Sequence, residues 1–277
     1  MSRVEKEMSF LDHLEELRWH LVRSAIAVVV FTIAAFISVD FVFNQIIFAP
    51  SRPDFWTFRT ICSLAQMIGA ETFCIDEIPF KLQSRQMTGQ FMMHISSSFV
   101  IGIIAAFPYM FWEIWRFIKP GLHSTERSFS RGAVFFVSLL FMLGVMFGYY
   151  VMSPIAIYFL SNYQISDAIS NEFDITSYVS TISTLVLGSG ALFQLPMVVY
   201  FLSKIGLLTP SWMRQYRRHA IVVILILAAM LTPPDPLSQM LIAGPLLLLY
   251  EISIIISGRV LKERLKRQAE ANSTTTL

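Results

Sequence analysis

Six apolar runs, separated by basic or proline-bearing stretches, set the pattern along the chain. They cover about 21–43, 87–107, 132–152, 178–202, 219–232 and 237–256. The first has Arg23 at its near end and Asp40 at its far end. The second holds only His94 as a titratable group, and the third and fourth hold no charge. Each of these four is long enough to cross a hydrocarbon core of about 30 Å as a helix. The last two runs are shorter and sit back to back across Thr232-Pro233-Pro234-Asp235-Pro236. Prolines end one helix and begin the next. A helix of 14 residues rises roughly 21 Å, so this pair reads as a short hairpin that thins the bilayer or stops below its far surface. The pattern predicts an all-α integral membrane protein with six transmembrane helices, the last two short, in one polytopic domain over 1–277.

Ahead of the first span, Ser9 followed by Asp12 resembles a capping box opening a helix. Leu11, Leu14, Leu17 and Leu21 recur at helical spacing, which predicts a short N-terminal amphipathic cytoplasmic helix whose apolar stripe lies on the membrane or on neighbouring helices. Its polar face presents Asp12, Glu16 and His20 at i, i+4, i+8. No small-residue cleavage site follows a short apolar region, so the first run reads as a retained span.

Composition agrees with a membrane protein. Hydrophobic residues make up 55% of the 277 residues and charged ones 14%, against roughly 25% charged in a soluble domain. That excludes a disordered chain, a disulfide-rich mini-protein and an ordinary cytosolic enzyme. A net charge of +2 says little until the charges are placed on the two sides of the bilayer. With six spans, Arg52, Arg59, Lys81 and Arg85 fall on one side and the other 17 of the 21 Lys and Arg on the opposite side. The positive-inside rule places the basic side and both termini in the cytoplasm.

The segment 44–86 then lies outside the membrane as an extracytoplasmic loop, with turn signals at Pro50, Pro53 and Pro79. Phe55, Trp56, Phe58, Ile61 and Leu64 make it apolar enough to pack as a cap. Cys62 and Cys74 fall in this loop. They form either a disulfide, which an oxidising compartment permits, or two buried free thiols. The segment 259–277 is a cytoplasmic tail whose end, Ala269–Leu277, is polar and reads as disordered.

Four stretches carry candidate chemistry. The N-terminal segment offers Glu16, set against a simpler reading of a solvated face with a local Glu15–Arg18 pair. The cytoplasmic loop from Pro108 to Arg131 offers Glu126. There it either completes the first turn of the next helix or faces a cationic partner. In the fourth span Gln194 precedes Pro196, a kink position, and Gly188 and Gly190 permit close helix approach. The amide makes a helix–helix hydrogen bond or docks a partner helix. After the last outer turn, Asp235 caps a helix and Gln239 follows one turn on. No metal spacing, nucleotide-binding loop or hydrolase motif is present, and no basic-aromatic nucleic-acid surface. No cofactor is implied.

In this order the motifs resemble the TatC family, the multispanning subunit of the twin-arginine protein translocase, over about Met8–Arg259. His13-Leu14-Glu15-Glu16-Leu17-Arg18 is similar to the family's HLxELR signature. Trp115-Arg116-Phe117-Ile118-Lys119-Pro120-Gly121-Leu122 with Glu126-Arg127 is similar to its first cytoplasmic loop. Leu231-Thr232-Pro233-Pro234-Asp235 with Ser238-Gln239 is similar to its last outer turn.

The resemblance implies a receptor for signal peptides with two consecutive arginines. It also implies a core subunit for export of folded proteins, driven by the proton-motive force across the cytoplasmic (inner) membrane. It implies no covalent chemistry. On the matching positions, Glu16 and Glu126 would bind the two guanidiniums and Arg18 would support them. Pro50, Pro108 and Phe117 match positions that shape the outer segment and the cytoplasmic surface. Gln194 stands where many relatives carry a membrane-buried Glu. The implied partners are single-span subunits of TatA type and TatB type, signal peptides and membrane lipid, in a hetero-oligomer of several copies. A competing reading, a secondary transporter of a small solute, predicts internal repeats and a charged or unwound mid-membrane site. The sequence shows neither. An intramembrane enzyme has only His94 beside Ser96–Ser98 as a hint.

Overall fold

The computed structural model describes residues 10–67, 69, 74, 78, 80–118, 130–166, 171–231 and 236–275, without the side chains of 10–14, 130–131, 236–238, 267–268 and 270–275. The elements in chain order are α1 (Phe10–Ile37), α2 (Val39–Phe41), α3 (Trp56–Met67), β1 (Lys81–Gln83), α4 (Gly89–Ile118) and α5 (Ser130–Phe147). They continue with α6 (Ser153–Asn162), β2 (Glu172–Asp174), α7 (Ile175–Leu192), α8 (Leu195–Ile205), α9 (Pro210–Gln215), α10 (Arg217–Leu231) and α11 (Pro236–Thr275). Among the described residues, five stretches are long and apolar enough to cross a membrane: Glu15–Ile37, Gly89–Ile118, Gly132–Asn162, Ile175–Ile205 and Gln239–Lys266. With the shorter α10, of 15 residues, they make up the expected six. The chain forms two compact units, one of residues 1–43 and 91–139, the other of 44–90 and 140–277.

In the first unit α1 runs 28 residues without a break. No Gly or Pro interrupts it. The expected separate amphipathic helix is therefore the opening turns of α1, and Ser9 lies outside the described residues. The helix stops where Ser38 leaves helical geometry (φ −89°, ψ 39°). His94 of α4 meets the Phe36 carbonyl left by that break, with Nε2 donating at 3.0 Å and the ring stacked on Phe36 at 3.9 Å. Further along, α1 and α4 nearly touch. A Cβ on Gly102 would lie 2.9 Å from the backbone nitrogen of Thr32.

Helix α4 corrects the expected end of the second span. Pro108 lies inside the helix, which continues to Ile118, rather than opening a loop. A proline removes one backbone donor, but away from water the freed groups gain nothing by unwinding, so the helix carries on. Phe117 therefore sits in the last turn of α4 rather than in a loop.

In the second unit the third span is longer than expected. It passes through a π-helical turn at Gly148–Met152 into α6, and Pro154 stands in the first turn of α6. The fourth is broken between α7 and α8 at Phe193–Gln194, with Pro196 in the opening turn of α8. Helix α8 ends on Gly206 in the left-handed region (φ +88°), where the Arg264 guanidinium fills the space a side chain would need. Met152, Leu185, Ile224, Ala228, Ile242, Ala243 and Leu246 form the buried core of this unit. Val222, Val223, Ile226 and Met230 of α10 point outward, as a lipid-facing surface requires.

Helix α11 differs from the expected short last span. It runs 40 residues, and the stretch read as a disordered tail is helical to Thr275. Glu251 does not end it because its carboxylate takes a hydrogen bond from Arg217 of α10 at 2.8 Å. Past Arg259 the Lys, Arg, Glu, Leu and Ala residues are good helix formers.

The outer segment carries more structure than a loop. Pro50 is buried in a 3-10 turn at Ala49–Ser51. Phe55 and Phe58 are buried, and Phe55 stacks on Tyr150 at 5.7 Å. Cys62 and Cys74 are joined by a disulfide. Strands β1 and β2 pair in parallel, Leu82 opposite Phe173, the one non-helical pairing among the described residues. Asp174 ties this ribbon to α7. It caps the helix by accepting from the Thr176 backbone N–H at 2.8 Å, and it accepts from the Arg85 backbone N–H at 3.0 Å.

The Thr176 hydroxyl, then the Thr176 and Arg85 backbone donors, hold the Asp174 carboxyl below its ordinary value. A carboxylate depressed in the folded state stabilises above the unfolded value, and that gain is lost as pH falls through the folded one. Thermal unfolding followed from pH 7 to pH 3 is expected to show Asp174→Asn with a smaller acid-induced drop in Tm than the unsubstituted chain. A second expectation concerns helix packing. A Cβ on Gly148 would stand 2.7 Å from the Leu185 carbonyl and 2.9 Å from the Val186 Cα. Gly148→Ala must push α7 away, at a cost of about 1–3 kcal/mol, readable as a lowered Tm in detergent.

Candidate functional site

The first unit holds a cluster of ionisable side chains where the start of α1 meets the end of α4. Because α4 continues past Pro108, it carries Glu113 onto the face packed against α1, where the residue is 1% exposed. A carboxylate in such a place needs donors on every side. Tyr109, one turn earlier on α4, donates its hydroxyl to Oε1 at 2.9 Å. His20 of α1, itself buried, places Nδ1 2.5 Å from Oε2. The Arg23 guanidinium lies 3.9 Å from the same oxygen. The Ser24 hydroxyl bonds the His20 carbonyl, and the Phe117 ring lies 6.2 Å from the imidazole.

Glu16 sits one turn before His20, with its side chain 39% exposed and Oε1 4.0 Å from His20 Nε2. Arg18 does not neutralise it. Arg18 pairs with Glu15 at 3.6 Å, and both are two-thirds exposed. Its guanidinium also lies 5.6 Å from the Trp19 ring. The cluster thus contains two acids of opposite standing. Glu113 is enclosed and satisfied. Glu16 reaches solvent and has the His20 imidazole 4.0 Å away.

Such an arrangement suits capture of a cation. A carboxylate at the edge of a membrane helix can take two parallel N–H bonds from a guanidinium. His94 Nε2 is engaged by the Phe36 carbonyl, the Ser98 hydroxyl bonds the His94 carbonyl at 2.7 Å, and Ser97 is buried with no hydrogen bond. The serine–histidine hint in the sequence therefore forms no nucleophile–base pair.

The other candidate residues divide by place. Glu16 and Phe117 meet at the cluster, and Pro108 lies one residue before Tyr109 in α4. Arg18 belongs to the exposed face beside it. Glu126 and Asp235 lie outside the described residues. Pro50, Gln194 and Gln239 belong to the second unit. Gln194 stands at the α7–α8 break, and Gln239 donates to the Leu225 carbonyl of α10 at 3.2 Å. Sequence reasoning missed Glu113, Tyr109 and Arg23. The i, i+4, i+8 run of Tyr109, Glu113 and Phe117, facing the i, i+4 pair Glu16 and His20, was the available signal.

Residues 12–245 match the family model described as Sec-independent protein translocase protein (TatC). The chain belongs to the TatC family. A TatC protein of Blattabacterium sp. subsp. Periplaneta americana is 38% identical over 95% of this chain and all of its own length. That of Carboxydothermus hydrogenoformans is 34% identical over 91% of this chain and 94% of its own. A crystal structure of the twin arginine translocase receptor TatC superposes with a TM-score of 0.67 at 30% identity, covering 90% of this chain and 99% of that one. A second, in DDM, gives 0.68 at 31% identity over 88% and 99%. This TatC-family chain is thus a multi-pass membrane component of Sec-independent, twin-arginine protein transport.

Within such a component Glu113 should act first on stability. Removing one member of a buried ionic group typically costs about 3–5 kcal/mol, while replacing both members with apolar residues costs far less. Glu113→Ala is expected to lower Tm strongly. His20→Leu combined with Glu113→Leu is expected to recover much of that loss in a double-mutant cycle of detergent unfolding.

Proposed function

We propose that this chain is the signal-peptide receptor and core membrane subunit of a twin-arginine translocase in the cytoplasmic (inner) membrane, with both termini in the cytoplasm. Glu16, with Glu126, binds the two guanidiniums of a consecutive arginine pair, and Arg18 supports them from the exposed face. The observation that carries this reading is the state of Glu16. It is half-exposed on a rigid helix, and the neighbouring arginine pairs with Glu15 instead. A partly exposed carboxylate held that way, with only the His20 ring at 4.0 Å beside it, is ready for a forked donor.

The basic residues on the same side supply a field that turns away stray cationic segments. The remaining roles follow from the family. The chain binds and hands over cargo without covalent chemistry. It works in a hetero-oligomer with single-span TatA-type and TatB-type subunits, in several copies. Gln194 and Gln239, with Asp235 of the last outer turn, meet such partner helices, while Pro50 shapes the outer segment and Pro108 the cytoplasmic half of α4.

Binding of an Arg-Arg signal peptide to the purified chain in nanodiscs tests the reading. A hydrogen bond to a charged group is worth about 1.5–3 kcal/mol, so Glu16→Ala and Glu126→Ala should each weaken binding by roughly tenfold or more. Replacing the pair in the peptide with Lys-Lys should do the same. Unchanged affinity in all three would remove the proposed site.

A further inference from the structure

The imidazole of His20 stands between two carboxylates. Nδ1 faces Glu113 Oε2 at 2.5 Å and Nε2 faces Glu16 Oε1 at 4.0 Å. We propose that His20, anchored by Glu113, is a positioning residue for Glu16, so that arginine capture at the start of α1 is coupled to release of one proton from the imidazole. The proposal rests on the reading of Glu16 as an arginine-binding group.

A neutral imidazole carries one N–H. Glu113 is fully enclosed and has Tyr109 on its other oxygen, so that one hydrogen belongs on Nδ1. Nε2 then presents a lone pair toward Glu16. Two acceptors do not bond, and the Glu16 side chain is left to turn outward. The imidazolium donates from both nitrogens. A small rotation of an exposed glutamate closes 4.0 Å to hydrogen-bonding distance. Glu16 is then drawn back toward the protein, with much of its charge answered internally. A guanidinium approaching the same carboxylate competes with that proton.

The charged and titratable groups around the ring belong to both helices. From α1 come Glu16 and Arg23, and from α4 come Glu113 and Tyr109, with Arg116 close enough to influence Tyr109. The contact with Glu113 is shut off from water and so little screened, while Glu16 and Arg23 remain partly exposed. Imidazole is the side chain whose ordinary charge change lies between about pH 5 and 8, which sets the pH range of the test. Linkage then makes the effect reciprocal: whatever the proton does to peptide affinity, the peptide does to the proton.

The test is isothermal titration calorimetry of the full chain in nanodiscs with an Arg-Arg signal peptide. It is run near pH 6.5 in phosphate and in imidazole buffer, whose ionisation enthalpies differ. The apparent binding enthalpy is expected to differ between the buffers in the sense of proton release. Affinity is expected to rise about fivefold or more from pH 6 to pH 8, the low end of ordinary site coupling.

His20→Gln keeps a donor for Glu113 but does not titrate. In that variant the pH dependence and the buffer difference should vanish. Equal enthalpies in the two buffers for the unsubstituted chain would overturn the proposal, whether or not the variant folds. So would an unaltered pH profile in His20→Gln. A Glu16→Gln chain that binds as tightly as the parent would instead remove the arginine site itself. A merely structural clasp between α1 and α4 would move stability and leave proton release at zero.

Discussion

A carboxylate sealed from water has to be matched by donors wherever it points, and Glu113 imposes that demand on the junction of α1 and α4. Its partners come from both helices, Tyr109 from its own and His20 and Arg23 from the other. Any slide of one helix along the other would leave a buried charge unanswered. The junction therefore has a fixed register, and the exposed carboxylate of Glu16, one turn from His20, inherits it. Glu16, the proposed arginine-binding residue, thus stands beside a side chain that is almost closed to solvent.

The second unit solves a different problem. Its helices have no water to drive them together, so they rely on backbones that come close. Gly144 and Gly148, four residues apart, meet Ser189, Gly190 and Leu185 of α7, and Gly190 in turn receives the Phe141 ring. The hydroxyls of Ser203 and Ser257 bond across α8 and α11 at 2.8 Å. Packing of this kind leaves little room for side-chain adjustment, which suits a scaffold of fixed shape.

The apolar runs told most of the fold, because the length of an uncharged stretch is a direct statement about the bilayer. Errors came where a local signal competed with that environment. Pro108 reads as a helix end in water, and that reading moved Glu113 into a loop and hid it. The polar end of the tail, from Ala269, reads as disordered by its composition, yet α11 carries on through it to Thr275. Pro196 did mark the fourth span's irregularity: α7 ends at Leu192 and α8 starts at Leu195, with Pro196 in its opening turn. The candidate site was half legible. Glu16 stood out by its motif and His20 follows one turn on, whereas Glu113, which engages His20, lies 93 residues from it, and no spacing rule within one segment can join them.

The covalent link between Cys62 and Cys74 has a bearing on biogenesis. Both sulfurs lie within one short stretch, 12 residues apart, so closure waits on no later helix. On the orientation proposed above, that stretch leaves the reducing side of the membrane as the second span inserts. Closure of the bond then requires that the first hairpin has been threaded, and nothing of the spans that follow it.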